Sequence, residues 1–153
     1  MPDITPCLWF DTEGEEAAEL YTSLFDDAEI LRVTRYGPGS PRPEGSVMTV
    51  SFRLDGHEFL ALNGGPRYTF NEAVSFQVHC ATQEEIDKYW YGLSADGEEG
   101  PCGWLKDRFG VSWQIIPSEL PGLLGDPDPE KAQRSMQAML GMKKLDIEAL
   151  RNA

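Results

Sequence analysis

The feature that most constrains this chain is an order of segments that occurs twice. Residues 4–10 form a short apolar run of β-favouring types. Asp11-Thr12 offers a helix cap before residues 13–25, where Ala17, Leu20, Tyr21, Leu24 and Phe25 recur at spacings of three and four. Strand patterns follow at 28–36 and 47–54, and Asp55-Gly56 is a hairpin turn into a strand over 57–63. The order then restarts: a strand at 73–80, a Thr82 cap, a helix over 83–93 with Ile86, Tyr89, Trp90 and Leu93 on one face, and strands at 102–106 and 111–116 around the turn Asp107-Arg108-Phe109-Gly110. Residues 15–21 overlay 84–90 at an offset of 69, which carries Pro6 onto Ser75, Leu8 onto Gln77 and Phe10 onto His79. The hairpins overlay through Gly56 and Gly110 at an offset of 54, which carries Leu60 onto Gln114. Two similar modules are what such a pattern predicts.

Between the first strands, residues 37–45 hold three prolines and three glycines. Strand pattern resumes at once beyond them, which predicts an exposed loop and not a domain boundary. After Pro117 the pattern turns helical. Leu120, Leu123 and Leu124 mark a short turn, and Asp128-Pro129 opens a helix to about Leu140. A last helix is expected over 146–153. The stripe Met136, Met139, Leu140 and Met142 predicts packing on the sheet or on a second subunit.

Charge and composition remove several functions. Thirteen basic residues face 26 acidic ones, a formal charge of −13, which opposes nucleic acid and anionic membrane surfaces as partners. No apolar run approaches a membrane span, and the first residues carry neither a basic segment nor an apolar stretch, so a cytoplasmic protein is expected. Cys7, Cys80 and Cys102 lie at no metal-ligand spacing and read as reduced thiols, Cys7 and Cys80 as small apolar strand residues.

Three stretches carry a resemblance: Ile4-Thr5-Pro6-Cys7-Leu8-Trp9-Phe10 followed by Glu15-Glu16-Ala17; Phe59-Leu60-Ala61-Leu62-Asn63-Gly64-Gly65-Pro66; and residues 102–117, with Gly103-Trp104-Leu105-Lys106-Asp107 and Phe109-Gly110-Val111-Ser112-Trp113-Gln114. In these the chain resembles the vicinal oxygen chelate superfamily of glyoxalase I, bleomycin-resistance proteins and extradiol dioxygenases, and within it the PhnB-like branch. The resemblance implies an α+β fold of tandem βαβββ modules, with curved mixed sheets around a cavity, usually in homodimers. One domain over 1–153 is expected, with modules at 3–65 and 72–117 and a helical tail at 118–153. The second module shows one strand fewer than that plan, unless a weak edge strand lies around 98–100. Members of the branch often carry the label 3-demethylubiquinone-9 3-methyltransferase, yet no Gly-rich loop follows a first strand here to hold S-adenosylmethionine.

Metal-dependent superfamily members place His or Glu ligands in the cavity. The matching positions fall near Pro6, Leu60, Ser75 and Gln114, a poor set for a transition ion, so a metal-free protein without cofactor is expected. A slip of the hairpin to Ala61 or Asn63 does not restore one. Of the two histidines, His57 reads as exposed at a strand start, whereas His79 shares parity with Ser75 and Gln77 and is a candidate general base or a strand-end histidine bonded to a loop carbonyl. Lys106 is a candidate for anion binding or a Schiff base, against a salt bridge at the turn, where Asp107 caps its own backbone. Gln114, mid-strand between Trp113 and Ile115, either binds ligand or closes a polar core contact. Trp90 reads as core, Trp9 and Trp113 as packed beneath helices, and Trp104 as a ring able to stack on a flat ligand. Two functional readings follow. One is a binding protein holding a small organic molecule through Ser75, Gln77, Gln114 and Trp104. The other is an enzyme of isomerase or lyase type using His79 or Lys106, with a metal-dependent glyoxalase- or dioxygenase-type enzyme as a further alternative.

Overall fold

Strand alternation and helix periodicity resolve, in a computed structural model describing residues 2–153, into the same sheet plan in each of two units, one ending at Phe70 and one running from Asn71 to Ala153. The first unit holds β1 (Cys7–Phe10), α1 (Gly14–Leu24), β2 (Ala28–Arg35), β3 (Val47–Leu54) and β4 (His57–Asn63), ordered β1-β4-β3-β2. The second holds β5 (Ser75–Cys80), α2 (Gln83–Ser94), β6 (Glu98–Glu99), β7 (Trp104–Lys106) and β8 (Ser112–Pro117), ordered β5-β8-β7-β6. In each the first strand runs parallel to the last, and the other pairs are antiparallel. The weak edge strand exists, as the two-residue β6. Both units are α+β, and the tail adds α3 (Leu120–Leu124), α4 (Pro129–Leu140) and α5 (Ile147–Arg151). Among the described residues no helix is long and apolar enough to cross a membrane.

Each helix buries one face on its own sheet. Ala17, Ala18 and Tyr21 of α1 are buried with Phe10, Val50, Phe52 and Ala61, and the Tyr21 and Phe52 rings lie 6.0 Å apart. In the second unit Ile86, Trp90 and Leu93 of α2 are buried with Leu105, Trp113 and Ile115. Each large apolar side chain so covered contributes about 1.5–3 kcal/mol. In the tail, Leu145 and Leu150 pack with Ile116 and Leu120, joined by Met139 and Met142, while Met136 and Leu140 stay exposed. Only half of the methionine stripe is therefore spent on this unit.

The start of α1 departs from expectation. Asp11-Thr12 does not cap it: Asn63, at the end of β4, accepts from the Gly14 N–H at 2.8 Å and donates to the Val47 carbonyl at 3.1 Å. A Cβ at position 14 would sit 2.7 Å from Asn63 Oδ1 and 3.3 Å from the Ala61 Cβ, so glycine is what lets the helix start this close to the sheet. Thr82 does cap α2, accepting from Glu85 N–H. At the β3–β4 turn Asp55 and Gly56 both take positive φ, 47° and 80°, as a two-residue hairpin loop requires.

Register corrects the internal overlay. Cys7 pairs with Leu60, and Gln77 pairs with Gln114, so the first strands repeat at an offset of 70 and the last strands at 54. The helices still repeat at 69, because three residues join β1 to α1 and two join β5 to α2. Cys7, not Leu8, is therefore the counterpart of Gln77. Cys7 is exposed, contrary to its reading as a packed strand residue, whereas Cys80 is fully buried.

Two outcomes follow. Asn63→Ala removes the acceptor of a buried amide and is expected to cost about 2 kcal/mol in urea unfolding, with Asn63→Asp recovering part of it through the retained acceptor. Burial pushes the Cys80 thiol up to about 12 from 9.0. The unfolded chain then releases this proton first, so stability falls as pH rises from about 9 towards 12, and Cys80→Ala flattens that slope.

Candidate functional site

In the second unit, one sheet face is filled by α2 and the other is not. Trp113 and Ile115 alternate onto the helix side and are buried, with Phe76 and Val78 beside them in the parallel ladder. Ser75, Gln77 and His79 on β5, Gln114 on β8, and Trp104 and Lys106 on β7 alternate onto the opposite side. The ladder sets Ser75 against Ser112, Gln77 against Gln114, Trp104 against Gln114 and Lys106 against Ser112. Six side chains expected to matter thus share one face of one sheet.

Three of them are bonded in series. Gln77 Nε2 donates to Gln114 Oε1 at 3.3 Å, and Gln114 Nε2 donates to Ser75 Oγ at 2.8 Å. Gln114 therefore makes a polar contact, and with neighbours on the open face. His79 is exposed, one alternation beyond Gln77, and His57 is exposed at the start of β4. Trp104 is half-buried.

Lys106 has a partner that sequence spacing does not reveal. Its ammonium forms an ion pair with Glu72, in the segment before β5, and Glu98 stands opposite it in the β6–β7 ladder. The Glu72 carboxylate holds Lys106 above its ordinary pKa, and Lys106 holds Glu72 below. That direction keeps the amine protonated, the reverse of what a Schiff-base lysine needs. Gly97 makes the approach of β6 feasible, since any Cβ there would collide with the Lys106 carbonyl.

Asp107 belongs to the turn. Its Oδ1 accepts from Phe109 and Val111 N–H at 2.9 and 3.0 Å, its Oδ2 accepts from the Trp113 indole at 3.0 Å, and it is buried. Trp113 lies beneath α2 as expected. Trp9 does not lie beneath α1: it alternates to the uncovered face with Cys7, where its indole donates to the Gly65 carbonyl at 2.9 Å.

Beside the amide series, a pocket of about 420 Å³ is lined by Glu72, Glu98, Glu99, Trp104, Lys106 and Ser112. Ser112 is 1% exposed, and its hydroxyl is the one buried side-chain polar atom among the described residues with no hydrogen-bond partner. Sequence reasoning missed Ser112, although its place two residues before Gln114 puts it on the same face.

The donor chemistry does not fit a transition ion. Ser75 and Gln114 meet, and Leu60 N–H bonds the Pro6 carbonyl, but the repeated pairs Cys7–Leu60 and Gln77–Gln114 supply neither carboxylate nor imidazole. Among the described residues no three His, Cys, Asp or Glu side chains group to hold a metal ion.

The chain matches the family described as 3-demethylubiquinone-9 3-methyltransferase over residues 2–116. It is 38% identical to a Bacillus cereus PhnB protein, covering 76% of this chain and 99% of that one, with a TM-score of 0.68. A Pseudomonas aeruginosa protein is 20% identical, over 76% of this chain and 98% of that one, with a TM-score of 0.63. The fosfomycin resistance protein FosX of Listeria monocytogenes is 13% identical, over 86% and 98%, with a TM-score of 0.52. The last two are alike in fold alone. No curated protein matches.

Asp107→Asn is expected to lower the urea midpoint by the equivalent of about 2–3 kcal/mol, because one of three buried donors then faces an NH₂ group. Lys106→Met, which loses only an exposed ion pair, is expected to leave that midpoint in place.

Proposed function

We propose that this chain, which belongs to the PhnB-like 3-demethylubiquinone-9 3-methyltransferase family of the vicinal oxygen chelate superfamily, binds a small organic molecule on the face of its second sheet that α2 leaves uncovered. The observation that carries the reading is the series Gln77–Gln114–Ser75. Two amides in the middle of strands fix each other's orientation there. The series leaves an acceptor oxygen on Gln77 at one end and a hydroxyl proton on Ser75 at the other. A preoriented donor and acceptor beside an aromatic wall, here Trp104, is the lining that small-molecule sites use.

In this reading the protein works without a metal, because the paired positions offer one thiol, an alkyl group and two amides, too few ligating groups for a divalent transition ion. Methyl transfer is not part of it. β1 leads into α1 through Asp11-Thr12-Glu13, which lacks the run of glycines that lets a first turn approach a nucleoside cofactor. Lys106, held protonated by Glu72, serves as a fixed charge and not as a nucleophile. The domain is read as one vicinal oxygen chelate domain, with modules at 3–65 and 72–117 and the tail at 118–153. It acts in the cytoplasm as a homodimer, a reading supported by Ile30, Leu31 and Val33 exposed on edge strand β2.

The test is a thermal-shift screen of small polar aromatics, followed by titration of the hits. Gln114→Ala and Trp104→Ala are each expected to weaken a hit about tenfold, the size of one lost hydrogen bond or stacking contact, with the fold retained. Hits indifferent to both substitutions overturn the site, and an absence of any saturable binding overturns the function.

A further inference from the structure

We propose, resting on the reading of the Gln77–Gln114–Ser75 face as a ligand surface, that the adjoining pocket selects the charge of the ligand and takes an organic ammonium, with Ser112 Oγ as hydrogen-bond acceptor and the Trp104 ring as its wall. Two carboxylates on this face, Glu72 and Glu98, line the pocket against one ammonium, that of Lys106, whereas Glu99 pairs with Leu105 and alternates onto the α2 side. Lys106 is already engaged by Glu72. The Glu99 carboxylate is taken up on the α2 side, where it accepts from the Trp90 indole at 2.7 Å, which leaves the β6 wall of the pocket to Glu98. The balance on this face is an excess of one negative charge, that of Glu98, in a chain that itself carries −13. An anion entering here meets the Glu98 carboxylate on the β6 side and a lysine already paired with Glu72.

Ser112 turns an acidic rim into a site. A buried hydroxyl without a partner is costly, and natural structures keep few of them. Its place on β8 is opposite Ser75 in one ladder and Lys106 in the other, so it stands between the amide series and the pocket wall. What it lacks is a partner, and an N–H from an ammonium gives its oxygen one. Trp104, opposite Gln114 on the same face, presents a π surface to the same volume, and a cation over an indole is attracted by the ring quadrupole. At about 420 Å³ the space suits a compact amine with an apolar body, not a peptide or a nucleotide.

The test is calorimetric titration of the whole chain with benzylammonium, benzyl alcohol and benzoate at one ionic strength. Benzylammonium is expected to bind at least about tenfold more tightly than benzyl alcohol, and benzoate not to saturate. Glu98→Gln is expected to weaken benzylammonium about threefold to tenfold and to leave the alcohol unchanged. Ser112→Ala is expected to weaken benzylammonium similarly while holding or raising Tm, because it deletes an unsatisfied buried group. A structural hydroxyl would instead lower Tm on removal, and that result overturns the role of Ser112. Equal affinity for the alcohol, tighter binding of benzoate, or no binding of benzylammonium overturns the proposal. If neutral ligands still bind and weaken with Gln114→Ala, the charge selection alone falls. If no ligand of any charge binds, the ligand face falls with it.

Discussion

The Asp107 carboxylate accepts two hydrogen bonds from within the five-residue connection from β7 to β8 and one from Trp113 on β8, and the register of those strands follows from it. With Phe109 and Val111 N–H on one oxygen and the Trp113 indole on the other, the turn cannot gain or lose a residue without stranding a buried donor or a buried charge. That register sets Lys106 opposite Ser112 and Trp104 opposite Gln114. It also commits Trp113 to the α2 side, so that Gln114 must face away from it. The uncovered face owes its composition to a carboxylate that never reaches it.

The repeat shows how one plan yields two surfaces. Arg53 and Lys106 occupy matching places in the two ladders, each opposed by a glutamate across the edge ladder, Glu29 in the first unit and Glu98 in the second. Arg53 pairs with Glu29 on the eight-residue β2 and with Asp27 just before it, at 2.7 and 3.0 Å. In the second unit the edge strand has shrunk to two residues, and Lys106 turns to Glu72 instead. The volume that Trp104 and Ser112 line lies beside this short edge, with Glu98 in its wall. The same position is thus a strut in one unit and a pocket wall in the other.

Much of this was legible from residue order. Periodicities of two and of three to four gave the strands and helices, Asp55-Gly56 and Asp128-Pro129 marked their turns and caps, and parity placed Ser75, Gln77, His79 and Gln114 on one face. The misses share a cause. Residues whose partners lie far along the chain leave no local pattern: Asn63 capping α1 across 49 positions, Glu72 on Lys106, and the Gly65 carbonyl that turns Trp9 outward. The overlay slipped by one residue because helix and strand were matched with one offset, while the loop between them differs in length. Ser112 was passed over because a serine in a strand is unremarkable until its surroundings are known.

The tail has a further role beyond covering Ile116. Cys102 and Gly103, both at positive φ, donate their amides to the Met142 and Lys143 carbonyls at 2.8 Å. Gln83 grips the same segment, donating to the Leu145 carbonyl and accepting from Ile147 N–H. This bend leads directly into Pro101 and Trp104 at the pocket rim. The match to the family covers residues 2–116, and the carbonyls that hold the bend lie beyond it, at Met142 and Lys143. Substitutions in the tail can retune what the pocket admits while every strand stays as it is, and a shorter relative has to bend this loop by other means.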